Sequence, residues 1–380
     1  MKNMRNMKNM KILIQGGGPV GLFMALALSN SNPNHKIHVV EKRARYSRRQ
    51  VLLLQPDVVQ ILERELPPVK VATCNVKPPP INRGVCFKKK TKSGMKSVAT
   101  KDFEYALKKE CERRKNVMVL NEARPYSDYD ILIASDGSKS DLGKLAGIGS
   151  TKVNKSKEAN AYGLAVILAL KGVKSGPDKE NLSTPQHRMR AFKIPGRKSM
   201  YYVGVNLSKD EYDSMMGANS TKRKKIVKNL LDEEASPFYG LGVTEIEQYY
   251  LFEIQPHKRN RVAIKKSRVG GGKPLFFVGD AALSHHFFSG QGVNAGIRQA
   301  IALGQGLSVS VDHAAKKLTD VVNKQSIEVE NRSKVLHMNM INLKPRDLNK
   351  LSSIQRINAL EMSNIDIETL VKMFKHTLHN

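Results

Sequence analysis

Apolar and polar positions along the chain fall into two textures. Lys11–Gln15 (KILIQ) is a short apolar run closed by glycines, and Pro19–Ser29 (PVGLFMALALS) has the composition of a buried helix. An Asn/Ser/Pro-rich turn then leads into the β-branched run Ile37–Glu41 (IHVVE). This order predicts a βαβ unit of about 30 residues. Val51–Glu65 reads as a helix ended by Pro67–Pro68, and residues 71–100 read as short strands or a loop. Asp102–Arg114 has helical spacing, while Val117–Leu120 and Tyr129–Ser135 read as strands. Between Asn160 and Ile264 the texture changes. Tyr162–Leu170, Met200–Asn206 and Gln248–Gln255 predict strands separated by polar loops. The first texture returns at Pro274–Val278 (PLFFV), a buried strand, followed by a glycine-rich turn and a helix from Gln291 to Leu307; amphipathic helical stretches follow Ala314.

The expected fold class is therefore α/β. A leader over residues 1–10 precedes a discontinuous Rossmann-like nucleotide-binding domain, over 11–158 and 262–314. A β-rich domain over 159–261 is inserted into it, and a helical region over 315–380 ends the chain.

The junction of the first strand and helix carries Gly16, Gly18 and Gly21, with Pro19 and Val20 between them. In this GxGxxG pattern the first glycine permits the tight turn, the second lets a pyrophosphate approach the backbone, and the third allows close helix–strand packing. Pro19 suits the first helical turn, where a missing N–H costs nothing, and the free N–H groups there attract phosphate. Glu41 closes the second strand 20 residues after Gly21, placed to accept hydrogen bonds from ribose hydroxyls. A carboxylate there disfavours a 2′-phosphate, so the dinucleotide is expected to be FAD or NAD rather than NADP.

The stretch Pro274–Ala300 narrows that choice. Gly279–Asp280 ends a buried strand, and ten residues after Asp280 a second glycine loop opens a helix with Gly290, Gln291, Gly292, Val293 and Asn294. An acid at a strand end suits the hydroxyls of a ribityl chain, and a second helix N-terminus suits negative charge on a reduced flavin or the pyrophosphate. NAD has no ribityl chain. The two ends of the chain together point to FAD.

Gly16–Gly21, Asp136–Gly137 and Gly279–Gly292, taken together over roughly residues 11–310, resemble the three fingerprints of the class A flavoprotein monooxygenases, the aromatic hydroxylase family. The resemblance implies a glutathione-reductase-type FAD domain, bound FAD, NAD(P)H as transient reductant, and O2 plus a small-molecule substrate. It implies that Asp136 and Gly137 touch both FAD and the nicotinamide, and that Asp280 binds the ribityl chain. Val39–Leu54 (VVEKRARYSRRQVLLL) is also similar to the MICAL monooxygenases that act on actin. That likeness implies an adenosine-ribose contact for Glu41, with Lys42 and Arg43 nearby, and a pyrophosphate contact for Arg48 or Arg49; Lys101 stands where the family carries an FAD-contacting Arg. Arg188, Tyr201, Tyr202 and His257 fall in the inserted segment, where the family lines its substrate pocket, and His286 and Phe287 join them as candidate substrate residues.

The chain departs from the family pattern at several positions. Leu283 and Phe287 replace a His and a Pro, Gly143 (beside Lys144) replaces an Arg, and Gln299 replaces an acid. A reductase or oxidase on the same fold is the alternative enzyme, and a catalytically degenerate flavoprotein serving as a basic binding module is the alternative outside catalysis. A halogenase is disfavoured, because its Trp-containing signature cannot exist in a chain with no Trp.

Composition adds one question. Lys and Arg number 64 against 34 Asp and Glu, a net charge of +30. Such a field attracts nucleic acid, acidic lipid or an acidic protein, but the basic residues are spread through a Lys- and Asn-rich chain, as compositional drift would also spread them. Three widely spaced cysteines and no hydrophobic signal segment suggest a reducing, cytoplasmic setting. No apolar run approaches membrane-spanning length. Adjacent His285 and His286 diverge on any regular element, so no metal site is expected. Gly270–Gly272 reads as a hairpin turn, the cysteines as small core residues, and Lys88–Lys90 and Lys222–Lys225 as solvated faces.

Overall fold

A computed structural model describes residues 9–48, 50–66, 73–75, 94–122, 125–153, 161–171, 181–183, 189–195, 197, 200–239, 242–254, 256–285 and 290–340. The chain begins with β1 (Lys11–Gln15), α1 (Pro19–Ser31) and β2 (Lys36–Val40), in the expected order. Next come β3 (Val51–Leu54), α2 (Pro56–Glu65), β4 (Thr73–Asn75), β5 (Lys96–Ala99), α3 (Thr100–Arg113), β6 (Val117–Leu120) and β7 (Ile131–Ala134). The helix expected over Val51–Glu65 is therefore a strand over its first four residues. Val51–Leu54 pairs antiparallel with β5, and the helix starts only at Pro56, whose ring fits a first helical turn.

After α4 (Asp141–Leu145) and β8 (Ser150–Lys152) the chain enters the inserted segment, with β9 (Ala161–Lys171), β10 (Asn181–Ser183), β11 (Met189–Lys193) and β12 (Met200–Leu207). Helices α5 (Lys209–Gly217) and α6 (Ser220–Tyr239) follow, then β13 (Gly242–Ile254). These two helices were not expected in a segment read as largely β. A reciprocal cap between Ser208 and Glu211 starts α5, and α6 exposes Lys222, Lys224 and Lys225 while burying Val227 and Leu231. The chain returns through β14 (His257–Arg259), which pairs with β8, so entry to and exit from the insertion are stitched together. β15 (Ala263–Ile264), β16 (Leu275–Phe277), α7 (Gly292–Leu307) and α8 (Val311–Met340) follow. Gly270–Gly272, all at positive φ, turn the β15–β16 hairpin as expected.

Among the described residues the nucleotide sheet has the order β15-β16-β7-β1-β2-β6, parallel from β16 to β6. Helix α1 is apolar on every side and buried from Gly21 to Ser29, because α3 and α7 both pack against it over the sheet. The fully buried Leu22, Phe23, Met24, Leu26 and Leu28 side chains each contribute about 1.5–3 kcal/mol of burial. The core that holds β1, β7 and β16 extends without a break to Ala314, Leu318, Val322 and Val329, so α8 packs into the same core as the nucleotide sheet. The second sheet, β10-β11-β12-β9-β13, is antiparallel and has a core of its own with α5 and α6. No described helix is long and apolar enough to cross a membrane.

Candidate functional site

The C-terminal ends of β16, β7, β1 and β2 lie side by side and deliver Gly279, Ser135, Gly16 and Glu41 to one edge, where open parallel sheets bind ligands. Backbone contacts hold this crest together. Gly16 N–H donates to Val40 O at 2.9 Å, Ser135 N–H to Gln15 O at 2.7 Å, and Val278 N–H to Ala134 O at 2.9 Å.

The first loop has no room for side chains. Gly16 sits at φ +104°, and a Cβ on Gly21 would lie 1.9 Å from Gly16 O. At Gly18 the situation differs: the nearest atom to an added Cβ would be Glu104 Oε1, at 4.0 Å. That glycine faces open space. Gly18 caps α1 without a side-chain hydrogen bond, Pro19 follows, Val20 packs against Gly279 and Gly296, and the first turn carries no acid. The helix N-terminus is left to an external anion.

Beside it lies a charged cluster. Arg43 grips Glu41 through Nε (3.0 Å), Nη2 (2.7 Å) and its backbone N–H (2.9 Å). Burial alone would push the Glu41 carboxyl up, but Arg43 outweighs it and holds the group below the usual carboxylate range. The same Nη2 reaches Glu104 at 3.3 Å, and Arg48 lies 3.7 Å from that carboxylate. Glu104 is fully buried, and desolvation raises its pKa against the pull of both arginines. Arg43 Nη1 and Glu104 Oε2 are buried without a hydrogen-bond partner. Lys42 turns outward to Asp141 (2.8 Å), and the Lys101 backbone N–H donates to Arg48 O (3.1 Å).

In the second segment Asp136 Oδ2 accepts from Asp141 N–H at 2.8 Å, Oδ1 has no partner, and Gly137 takes φ +86°. Ser140 caps α4 by accepting from Gly143 N–H at 3.1 Å. The space beside Gly143 is filled by a residue that the sequence pattern had not singled out. Arg259, on β14, places Nη1 2.9 Å and Cζ 3.0 Å from where a Cβ on Gly143 would stand. Its guanidinium donates to Ala281 O (3.0 Å), Ile148 O (3.0 Å) and Ser138 O (3.4 Å) and lies 5.3 Å from the Phe277 ring. One buried cation thus ties the second segment to the third. The signal available in sequence was a lone Arg in the strand that re-enters the nucleotide domain.

In the third segment Gly279 (φ +63°) begins a short 3-10 turn, and its N–H donates to Gln299 Oε1 at 2.7 Å. Gln299 Nε2 donates to Gln325 on α8 (2.7 Å), which returns a bond to Ala295 O (3.2 Å). This neutral relay occupies the place of the family's acid. Asp280 lies deep among protein atoms, and desolvation raises its pKa against Arg48 and His257, yet its side chain is open to solvent as in the wall of a cleft. Leu283 is core. Ser284 Oγ stands 3.0 Å from His257 Nδ1, so His257 braces the insertion's return strand. At the second glycine loop Gly290 (φ +61°) packs on Leu53, and Asn294 donates to Leu53 O (2.7 Å) and Gly290 O (2.8 Å). Gln291 caps α7, Gly292 lies beside Asp280, and Val293 packs on the core.

The adjacent tyrosines separate. Tyr201 is 2 % exposed in the core under α5 and α6, so it does not face the nucleotide domain, whereas Tyr202 packs toward Val51 and Leu53. Strand alternation forces the two apart. Arg49, Arg188, His286 and Phe287 lie outside the described residues. No cluster of metal-ligating side chains occurs among the described residues. Cys111 is a buried core thiol, pushed up to about 12 by desolvation.

An uncapped helix N-terminus with open space at Gly18, orphaned buried polar atoms on Arg43 and Glu104 beside it, and the exposed carboxylate of Asp280 along the same sheet edge fit a long phosphorylated dinucleotide. Comparison with known proteins agrees with that chemistry. A family model described as FAD binding domain matches residues 123–333. The p-nitrophenol 4-monooxygenase PnpA of Pseudomonas putida superimposes with a TM-score of 0.65 at 14% identity, over 96% of this chain and 97% of that one. PqsL of Pseudomonas aeruginosa, a probable FAD-dependent monooxygenase, gives 0.64 at 15% identity, over 94% and 100%. The flavin-dependent halogenase CmlS gives 0.62 at 15% identity, over 97% and 70%. These likenesses show a shared fold. No curated protein matches the sequence.

Proposed function

The chain belongs to the FAD binding domain family, and from that premise we propose that it is an NAD(P)H-consuming, FAD-dependent monooxygenase acting on an electron-rich small molecule. The observation that carries this reading is the convergence of both glycine loops, Asp136 and Asp280 along one sheet edge, with a second sheet facing the loop at Gly290. Bound FAD supplies the redox chemistry, taking electrons from the nicotinamide and passing them to O2.

The chain's own residues bind, orient and exclude water. The uncapped N-terminus of α1, with open space at Gly18, would hold the pyrophosphate. Arg43 keeps Glu41 ionised, the form that accepts from ribose hydroxyls. Asp280, exposed at the end of the β16 strand, would accept from the ribityl hydroxyls. The N-terminus of α7, whose positive dipole end opens beside Asp280, would favour negative charge on a bound flavin. Leu53 closes the side of the glycine loop against water. The excess of positive charge favours approach of an anionic nicotinamide cofactor.

The test is direct. Holoprotein mixed anaerobically with NADPH or NADH is expected to lose its visible flavin absorbance and recover it in air, with an oxygenated product when substrate is present. Recovery with peroxide alone under every additive would favour an oxidase. Failure of both nicotinamides to reduce the flavin would refute the monooxygenase reading and leave the FAD-binding fold untouched.

A further inference from the structure

The phosphate end of the crest holds an acid that a pyrophosphate site does not call for. Glu104, on α3, is fully buried, and a Cβ added to Gly18 would meet its Oε1 first, at 4.0 Å. An anion drawn to the uncapped N-terminus of α1 therefore arrives beside a carboxylate. Both arginines of the cluster approach that same oxygen, Arg43 Nη2 at 3.3 Å and Arg48 Nη1 at 3.7 Å. Oε2 is buried and receives no hydrogen bond.

Charge in this cluster is balanced by the chain itself, with Glu41 and Glu104 facing Arg43 and Arg48. Tyr46 lies against Arg43 and donates its hydroxyl to Gly17 O at 2.9 Å, and burial pushes its pKa up, so it stays neutral. Of the elements packed on α3, α1 and β6 bring no titratable group and β5 brings Lys96. On α3 itself Lys101 and Lys108 stand within about a turn of Glu104. A doubly charged pyrophosphate upsets the balance and competes for Arg48, whose side chain is half exposed and which also faces Asp280. Glu104, enclosed by protein, cannot follow that arginine. A carboxylate that gains an anionic neighbour and loses a cation favours its neutral form, and burial already pushes Glu104 in that direction.

We propose that Glu104 is a positioning residue that holds Arg43 and Arg48 for the cofactor and takes a proton from solvent onto Oε2 as the FAD pyrophosphate binds. The inference goes beyond the monooxygenase reading and rests on FAD binding alone. Its sign follows from linkage. Affinity for FAD is flat at low pH, where Glu104 is protonated with or without the cofactor, and falls by up to about tenfold per pH unit above that range. Asp280 acts in the opposite sense, because ribityl hydroxyls favour its ionised form.

Calorimetric titration of FAD-free protein with FAD, in two buffers of different ionisation enthalpy, counts the proton. Flavin fluorescence follows the affinity between about pH 6 and about pH 8.5. Wild type is expected to take up nearly a full proton per FAD within this range and to bind at least about tenfold more weakly at its upper end. Glu104→Gln is expected to lose the uptake, to match wild type at the acid end and to bind FAD more tightly at the basic end. Arg48→Gln removes a half-exposed cation from Glu104 and is expected to move the onset of the fall to higher pH; it covers the case in which the glutamine variant fails to fold. No uptake in the wild type, uptake that survives in Glu104→Gln, or an onset unmoved in Arg48→Gln overturns the proposal. No nicotinamide, O2 or substrate is present, so the result stands apart from whether NAD(P)H reduces the flavin.

Discussion

Arg259 and Gly143 form a pair whose energetics reverse sign when one member changes. Gly143→Ala places a methyl group 2.9 Å from Nη1 and 3.0 Å from Cζ of a guanidinium that three carbonyls hold in place. That group cannot swing aside without breaking those bonds, so the substitution is expected to cost about 1–3 kcal/mol. Arg259→Ala leaves the carbonyls of Ala281 and Ile148, each bonded at 3.0 Å, without their donor. At about 1–3 kcal/mol per orphaned buried acceptor the expected loss is roughly 2–6 kcal/mol. In that background the hollow is empty, and Gly143→Ala inside α4 becomes an ordinary helical replacement worth about 0.5–1 kcal/mol of added stability. The coupling energy is therefore about 1.5–4 kcal/mol, well above the scatter of independent sites. Urea denaturation of the four members of the cycle measures it. Equal effects of Gly143→Ala in both backgrounds would refute the steric argument.

Three further outcomes are expected. Gly18→Ala meets no atom closer than 4.0 Å, so it should leave the melting temperature of FAD-free protein unchanged and weaken FAD binding by at least about tenfold, measured by flavin fluorescence; equal losses of both would mean the residue is only structural. Glu41 is held below its ordinary range in the fold, so its stabilisation is complete above the ordinary carboxylate pKa and is lost as pH falls through the lowered value. The gap in melting temperature between wild type and Glu41→Gln should thus be widest near neutrality and close below about pH 4. Gln299→Leu removes the acceptor of the Gly279 N–H and should cost about 1–3 kcal/mol by urea denaturation, with faster loss of FAD on dilution.

The glycine loops were legible in sequence because their requirement is local: a chain that must turn sharply against its own strand admits no Cβ at Gly16 or Gly21. Glu41 and Asp280 were legible as acids at strand ends. Arg259 was not, since it meets Gly143 from 116 positions away and nothing in either neighbourhood names the other. The β3 strand was masked by its continuity with an apolar helix, although Pro56 marked the true start. The α5 helix carries its own sign in the Ser208–Glu211 spacing, a local signal set inside a stretch dominated by strands. Tyr201 and Tyr202 were indistinguishable by composition, and only the phase of the strand separates them.

The strand order also governs when the protein can acquire its cofactor. β7 is flanked by β1, made well before it, and by β16, whose pairing residues 275–277 are synthesised long afterwards. A growing chain can close the first βαβ unit well before β16 exists, but the crest lacks Asp280 and the N-terminus of α7 until residue 292 has been made. Parallel pairing across so long an interval is slow, because the connecting chain must be gathered before any contact rewards it. FAD capture is therefore a late event coupled to completion of the whole nucleotide domain. Scarcity of the cofactor should show itself first as unfinished molecules rather than as finished but empty ones, since a ligand that recognises only the completed crest draws the last step forward by mass action.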